Sequence, residues 1–202
     1  MNNNNYDKVV VLCSGGLDSI TTAELYRRLG YDVELLYVSY GNANFQKETR
    51  AVEEYAEKHN LKLHIEFMQL GFYNEVIRKG QDYIPMRNLV LLSMAIALAD
   101  FIGAKTVALG YIKIEDGQDY ADCSQQFVDN INKLGLDSCD VQVATPLMYL
   151  TKDKVISLAE SFGISLDDIY TCDHPKQDGE PCGTCLKCID LKRAKELVLN
   201  LN

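Results

Sequence analysis

Six consecutive residues, Ser14-Gly15-Gly16-Leu17-Asp18-Ser19, follow the apolar run Lys8 to Cys13 and lead into a helical pattern. Two glycines, two hydroxyls and a carboxylate at this spacing have the chemistry of an anion cradle. Gly15 and Gly16 lack a Cβ and tolerate positive φ, so backbone N–H groups can come close to a phosphate. A helix opening near Leu17 adds unpaired N–H donors and a partial positive charge, and Ser14 and Ser19 add hydroxyl donors. The alternative is a glycine turn capped by Asp18 or Ser19. Neither G-x-x-x-x-G-K-S/T nor G-x-G-x-x-G is present, so the cradle carries no lysine of its own.

The second constellation is Cys172, Cys182, Cys185 and Cys188, spaced C-x9-C-x2-C-x2-C. Four thiolates so placed can close a tetrahedral zinc site with no open position, which marks a structural metal. The same ligands suit an iron-sulfur cluster, and the spacing does not choose between them. Pro181 and Gly183 help the chain turn there, and zinc would organise a tail too loop-rich to hold itself. His174 reads as a solvated loop residue, and Cys123 and Cys139 as small buried side chains.

These residues need a scaffold. Runs such as "KVVVLC", "DVELLYVSY", "LKLHIEFM" and "KTVALGY" alternate with helical patterns at about 17–29, through "ETRAVEEYAEKH", within "DCSQQFVDNINKLG" and along "TKDKVISLAESFGI". That rhythm predicts an α/β fold, a parallel sheet with helices on both faces and a small C-terminal zinc-binding segment. The boundary falls at the composition change after Tyr170, giving residues 1–169 and a tail of 170–202 packed on them. The turn after the first strand of such a sheet is a favoured ligand site, and the cradle occupies it. The stretch from Leu89 to Ile102 is apolar all round, too short for a membrane span, and predicts a buried helix. It would serve a homodimer interface as readily as a core.

Composition narrows the partners. The formal charge of −9 over 202 residues disfavours a polyanion-binding surface, so no direct nucleic-acid contact is expected. The N-terminal "MNNNNYDK" lacks the regions of a signal peptide and reads as a frayed tail. Seven cysteines, four of them crowded together, suit a reducing cytoplasm, and no membrane segment is expected.

The S-G-G-L-D-S loop resembles the pyrophosphate loop of the ATP pyrophosphatase superfamily, whose adenine nucleotide alpha-hydrolase-like members cleave ATP between the α and β phosphates. Paired with the terminal cysteines, it resembles the 7-cyano-7-deazaguanine synthase family. Three further stretches match. "YGNANFQKE" resembles the family's Y-G-Q-x-H-x-x-E, "YIPMRNLVLLSMA" its V-P-x-R-N-x-x-x-L-S, and "GYIKIEDGQDYADCSQQF" its G-x-N-x-x-D-x-S-G-Y-P-D-C-R-x-x-F. The family's His falls at Asn44 or Phe45, and its G-Y-P-D-C-R core reads here as Asp119-Tyr120-Ala121-Asp122-Cys123-Ser124. After Cys188, Leu191 precedes Lys192 and Arg193 where the family has an arginine three residues on.

The resemblance implies a ligase that joins 7-carboxy-7-deazaguanine and ammonia at the expense of ATP with Mg2+. Cys13, Ser14, Gly15, Gly16, Leu17, Asp18, Ser19, Tyr40, Arg87 and Asn88 would hold the nucleotide. Asp18 would contact Mg2+, Arg87 a phosphate or the substrate carboxylate, and Asp122 the ring N–H and amino group of the base. Glu48 would serve Mg2+ directly or from behind, against a reading as one carboxylate of a solvated helix face. Tyr40 and Tyr111 would stack on a base, against a reading as core or rim aromatics of the protein. The altered His and Arg positions leave two products open, the nitrile or the 7-amido compound. Competing readings are a tRNA-thiolating sulfurtransferase and an inactive zinc-stabilised nucleotide-binding module.

Overall fold

The computed structural model describes residues 7–42, 44–79, 83–112, 121–165, 169–178 and 180–199. The N-terminal residues 1–6, and Asp119 and Tyr120 of the altered segment, lie outside the described residues. Five strands, β1 (Lys8–Leu12), β2 (Asp32–Ser39), β3 (Lys62–Phe67), β4 (Thr106–Leu109) and β5 (Gln142–Ala144), form one sheet in the order β3-β2-β1-β4-β5. All four pairings are parallel. The helices are α1 (Leu17–Arg28), α2 (Phe45–His59), α3 (Gly71–Arg78), α4 (Arg87–Ile102), α5 (Gln125–Cys139), α6 (Lys152–Ser161) and α7 (Leu186–Leu199).

The β-branched run of β1 suits a strand covered on both faces. Successive side chains point to opposite sides, so Val9 and Val11 join Ile20, Ala23 and Val52 under α1 and α2, while Val10 joins Leu92, Ala95 and Ile131 under α4 and α5. A third cluster, Leu17, Leu147, Val155, Ile156 and Ala159, fastens α6 to the start of α1. The strand order reverses between β1 and β4, and this switch point is where such sheets bind ligands.

Three elements escape the hydrophobic rhythm. β5 has three residues, too few to show a period, and α3 has eight. The tail also contains a helix, α7, which begins between Cys185 and Cys188, so it is less loop-rich than its composition implies. The expectation of a wholly buried 89–102 helix is corrected: α4 buries Asn88, Leu92, Ala95 and Ala99 on one face, while Phe101 is 87% exposed. The small alanines at helical spacing let α4 lie close on the sheet, and Leu89, Leu91, Met94 and Leu98 flank that face half-buried. Among the described residues, no helix is long and apolar enough to cross a membrane.

Candidate active site and cysteine cluster

The loop after β1 is built as its glycines demand. Gly15 has φ of +76°, and a Cβ there would lie 2.9 Å from Ala51 Cβ and 3.1 Å from the Glu48 carbonyl oxygen. Any other residue would be strained twice, by conformation and by space. Gly16 is the N-cap of α1 with no side-chain cap, which leaves the first-turn N–H groups without a capping side chain. Ser14 is exposed and open to a ligand. Ser19 has a different role from a free donor: its hydroxyl donates to the Gly16 carbonyl at 2.9 Å and accepts from the Ser14 N–H at 3.2 Å. It braces the loop from inside. Cys13 and Leu17 are buried beneath it, and burial pushes the Cys13 thiol up to about 11.

Two residues outside the sequence-predicted set complete this end. Gly110, just after β4, sits where a Cβ would come within 2.5 Å of the Asp18 carbonyl, so only glycine lets β4 and the start of α1 approach this closely. Lys152, the first residue of α6, donates from Nζ to both Asp18 carboxylate oxygens, at 2.8 and 2.9 Å. The loop therefore receives from α6 the lysine it lacks locally. The third cluster explains the placement, since Val155 and Ile156 pin α6 against Leu17. The only sequence signal was a lysine opening a helix, a common surface pattern.

Beside it, Arg87 opens α4. Its Nη1 donates to the Tyr40 hydroxyl at 3.2 Å, and its guanidinium lies 5.5 Å from the Tyr40 ring centroid. Met86, the residue before it, is left-handed with φ of +51°, an uncommon conformation for a side chain of this kind. Burial works against the charge on Arg87, yet Tyr40 and the other neighbours hold its pKa above the ordinary value. Asp122 is 2% exposed and does not cap the helix that follows it; Ser124 does that, accepting from the Phe127 N–H at 3.1 Å. Instead Asp122 Oδ2 accepts from the Asn88 N–H at 3.1 Å and so caps α4 from outside. Asn88 Nδ2 donates to the Asp122 carbonyl at 3.1 Å and to Cys123 Sγ at 3.2 Å, and the Tyr111 hydroxyl donates to the same carbonyl at 2.9 Å. Burial raises the pKa of Tyr111, keeping its hydroxyl a donor.

Glu48 is buried, which sets aside the solvated-face reading. Its carboxylate accepts from the Tyr37 hydroxyl at 3.0 Å, Asn42 Nδ2 at 2.7 Å and Asn44 Nδ2 at 2.8 Å. Burial pushes its pKa up, against the pull of Lys187 and these donors. The structure thus brings Tyr40, Arg87, Asn88, Tyr111 and Asp122 into one bonded group, and places Glu48 in a separate one behind the loop. A cavity of about 250 Å³ beside Ile20, Glu24, Tyr55 and Phe162 lies elsewhere, and none of these residues lines it.

The four cysteine sulfurs of the tail lie within 4.8 Å of one another, and Cys182 and Cys188 Sγ are 3.9 Å apart. An edge of a tetrahedral zinc-thiolate site spans about 3.8 Å, so the donor set fits a closed metal site. Backbone N–H groups already point at the sulfurs, from Cys182 to Cys172 at 3.3 Å and from Cys185 to Cys182 at 3.2 Å. The N–H groups of Thr184 and Cys185 hold the Cys182 thiol down to about 5, while burial pushes Cys188 up to about 12.

A family model described as queuosine biosynthesis protein QueC matches residues 8–80 and 73–198. The chain is 30% identical over 203 residues to a 7-cyano-7-deazaguanine synthase of Rickettsia bellii (strain OSU 85-389), covering 90% of each. It is also 30% identical over 213 residues to one of Chlorobium phaeobacteroides (strain BS1), covering 95% of this chain and 93% of the relative. Among solved structures, the U34-tRNA thiolase NcsA from Methanococcus maripaludis with its 4Fe-4S cluster shares the fold, with a TM-score of 0.59 and 16% identity over 96% of this chain and 66% of that one. The NH3-dependent NAD synthetase from Campylobacter jejuni does so with a TM-score of 0.53 and 18% identity over 83% of this chain and 69% of that one.

Proposed function

The chain belongs to the QueC family of queuosine biosynthesis proteins, and from that premise we propose that it is an ATP-dependent ligase making 7-cyano-7-deazaguanine from 7-carboxy-7-deazaguanine and ammonia. The observation that carries this reading is the convergence at the β1/β4 switch point of the uncapped start of α1, the start of α6 and the Lys152 ammonium beside Asp18. Two helix N-termini and a cation are suited to the phosphates of ATP.

A carboxylate resists ammonia because its leaving group would be oxide. Its oxygen attacks the α-phosphorus of ATP and pyrophosphate departs, leaving an acyl-adenylate. Ammonia then displaces AMP to give 7-amido-7-deazaguanine. The amide oxygen attacks a second ATP in the same way, and loss of AMP and protons leaves the nitrile. In this scheme Ser14, Gly15, Gly16 and the first-turn N–H groups of α1 take the departing pyrophosphate, and Lys152 leaves Asp18 to help neutralise it. Mg2+ commonly binds through one or two carboxylates plus substrate phosphates, which Asp18 fits, and it would supply further charge neutralisation there. Arg87 pairs with the substrate carboxylate or a phosphate, held by Tyr40, while Asn88 and Asp122 shape the base end. Cys172, Cys182, Cys185 and Cys188 hold a structural zinc, residues 1–169 form the nucleotide domain and 170–202 the metal-binding tail. Seven cysteines, four of them gathered as metal ligands, suit a reducing cytoplasm as its compartment.

A second reading stops at the amide. It draws on Ser124, which stands where the family carries an arginine and is engaged as a helix cap. Mass spectrometry of the product, with AMP counted beside it, tests both. The nitrile with about two AMP per product, one for each activation of an oxygen, is the expected result. Accumulating amide with about one AMP selects the second reading, and no AMP overturns both.

A further inference from the structure

We propose that the cysteine cluster and the phosphate loop are linked through Asn44, so that metal held by the four thiolates steadies the loop and nucleotide on the loop retains the metal. The inference rests on the reading of that loop as an ATP site. Asn44 is 6% exposed, and its Nδ2 donates in two directions, to the Cys172 carbonyl at 2.7 Å and to Glu48 Oε1 at 2.8 Å. Its Oδ1 accepts from Asn42 Nδ2 at 2.8 Å, and that same nitrogen donates to Glu48 Oε2 at 2.7 Å. One side chain therefore joins a metal-ligating residue to the buried carboxylate behind the loop.

The other side of that carboxylate is the loop itself. The Glu48 main chain and Ala51 form the wall against which Gly15 is packed without room for a Cβ. The segment leading to Cys172 passes the neighbouring glycine as well, with the Tyr170 carbonyl oxygen 3.8 Å from where a Gly16 Cβ would stand. Tyr170 on one side and Glu48 with Ala51 on the other thus stand against the two loop glycines.

A closed thiolate site fixes the backbone of each ligand, and Cys172 is 128 residues from Asn44 in the chain, so their contact depends on how the tail is folded. With metal lost, Cys172 is free to shift and Asn44 loses its acceptor. Glu48 and the wall behind Gly15 are then less tightly held, and phosphate binding must pay the cost of ordering the loop. Linkage is reciprocal, so whatever factor metal adds to nucleotide affinity, nucleotide adds to metal affinity. Asn44 is a positioning residue here; it touches neither reacting atom.

The test uses the full chain as purified with its metal. A chromogenic chelator is added, and metal release is followed with and without saturating Mg-ATP, while calorimetry on the same preparation measures ATP binding. Mg-ATP is expected to slow release about fivefold or more. Asn44→Ala is expected to abolish that protection and weaken ATP binding by a similar factor, and Asn44→His, which keeps a ring N–H donor, to restore part of both. A purely structural role for Asn44 would change melting temperature and basal release but not their dependence on ATP. Should Asn44→Ala fail to fold, the unsubstituted protein still decides. Release unchanged by ATP that calorimetry shows to be bound overturns the linkage and leaves the ATP reading intact, as does equal protection in Asn44→Ala. Absence of ATP binding overturns both.

Discussion

At the amino ends of β1, β2 and β3, Glu34 is 4% exposed and held by Lys8 Nζ at 2.6 Å, His64 Nε2 at 2.6 Å and Lys62 Nζ at 3.3 Å. At the carboxyl end of β1, Asp18 meets Lys152 while keeping 26% of its side chain exposed. Both are carboxylates beside lysines on the same sheet, yet they are built for different ends. Around Glu34 burial alone would raise the pKa, but Lys8, His64 and Lys62 pull it down to about 2. These partners hold the Glu34 carboxylate charged in the folded protein, which favours folding. The Asp18 pair is open to solvent beside uncapped helix N–H groups, so either partner can be exchanged for a ligand with little loss. The sheet thus carries surrounded charge at its amino end and exchangeable charge at its carboxyl end, the end proposed to take ATP.

The comparison is most exposed to Lys152→Ala. ATP-dependent AMP formation should fall about 100- to 1,000-fold, as when a transition-state charge donor is removed. The melting temperature should barely move, because a part-exposed ion pair contributes at most about 1 kcal/mol. A variant that melts much earlier yet turns over normally would place Asp18 in the same class as Glu34. Gly110→Ala should damage both properties, since the added Cβ meets the Asp18 carbonyl at 2.5 Å. Denaturant melts should show a loss of about 2–3 kcal/mol from overpacking, with turnover depressed further than stability explains.

Glu34→Gln is the mirror experiment, with a loss of about 2 kcal/mol in denaturant melts and unchanged turnover per folded molecule. Its pH dependence sharpens the point. The folded pKa is depressed, so the stabilisation is fully present above about 4.5 and disappears as pH falls towards about 2. Melts across that interval should slope less steeply in Glu34→Gln than in the parent protein. The smallest effect is expected from Arg87→Lys, which keeps the charge but loses the planar fork above Tyr40. A decrease of about tenfold in kcat/KM for the carboxylate substrate, with no change in melting, is the expected outcome.

Much of this was readable in the one-dimensional chain. β1, α1 and the loop between them follow from a β-branched run, two glycines and a helical period, because backbone conformation over such a stretch is locally encoded. The cysteines announce a cluster that could hold a metal by number and spacing alone. Short elements were not readable: β5 has three residues and α3 eight, too few to show a clear period, and α7 begins inside a cysteine-rich stretch that reads as loop.

The sequence by itself therefore determined the kind of chemistry, a phosphate loop on a parallel sheet and a closed thiolate cluster, since each is written in neighbouring residues. Only the tertiary structure decided which distant groups serve them. Lys152 reaches Asp18 across 134 positions, Asn44 reaches Cys172 across 128, and Asp122 turns back 34 residues to cap α4. Gly110 is one glycine among thirteen until its closeness to α1 is seen. The physical reason is the same in each case: a hydrogen bond or a close approach depends on where packed helices and strands carry their ends, and sequence spacing carries no record of that distance.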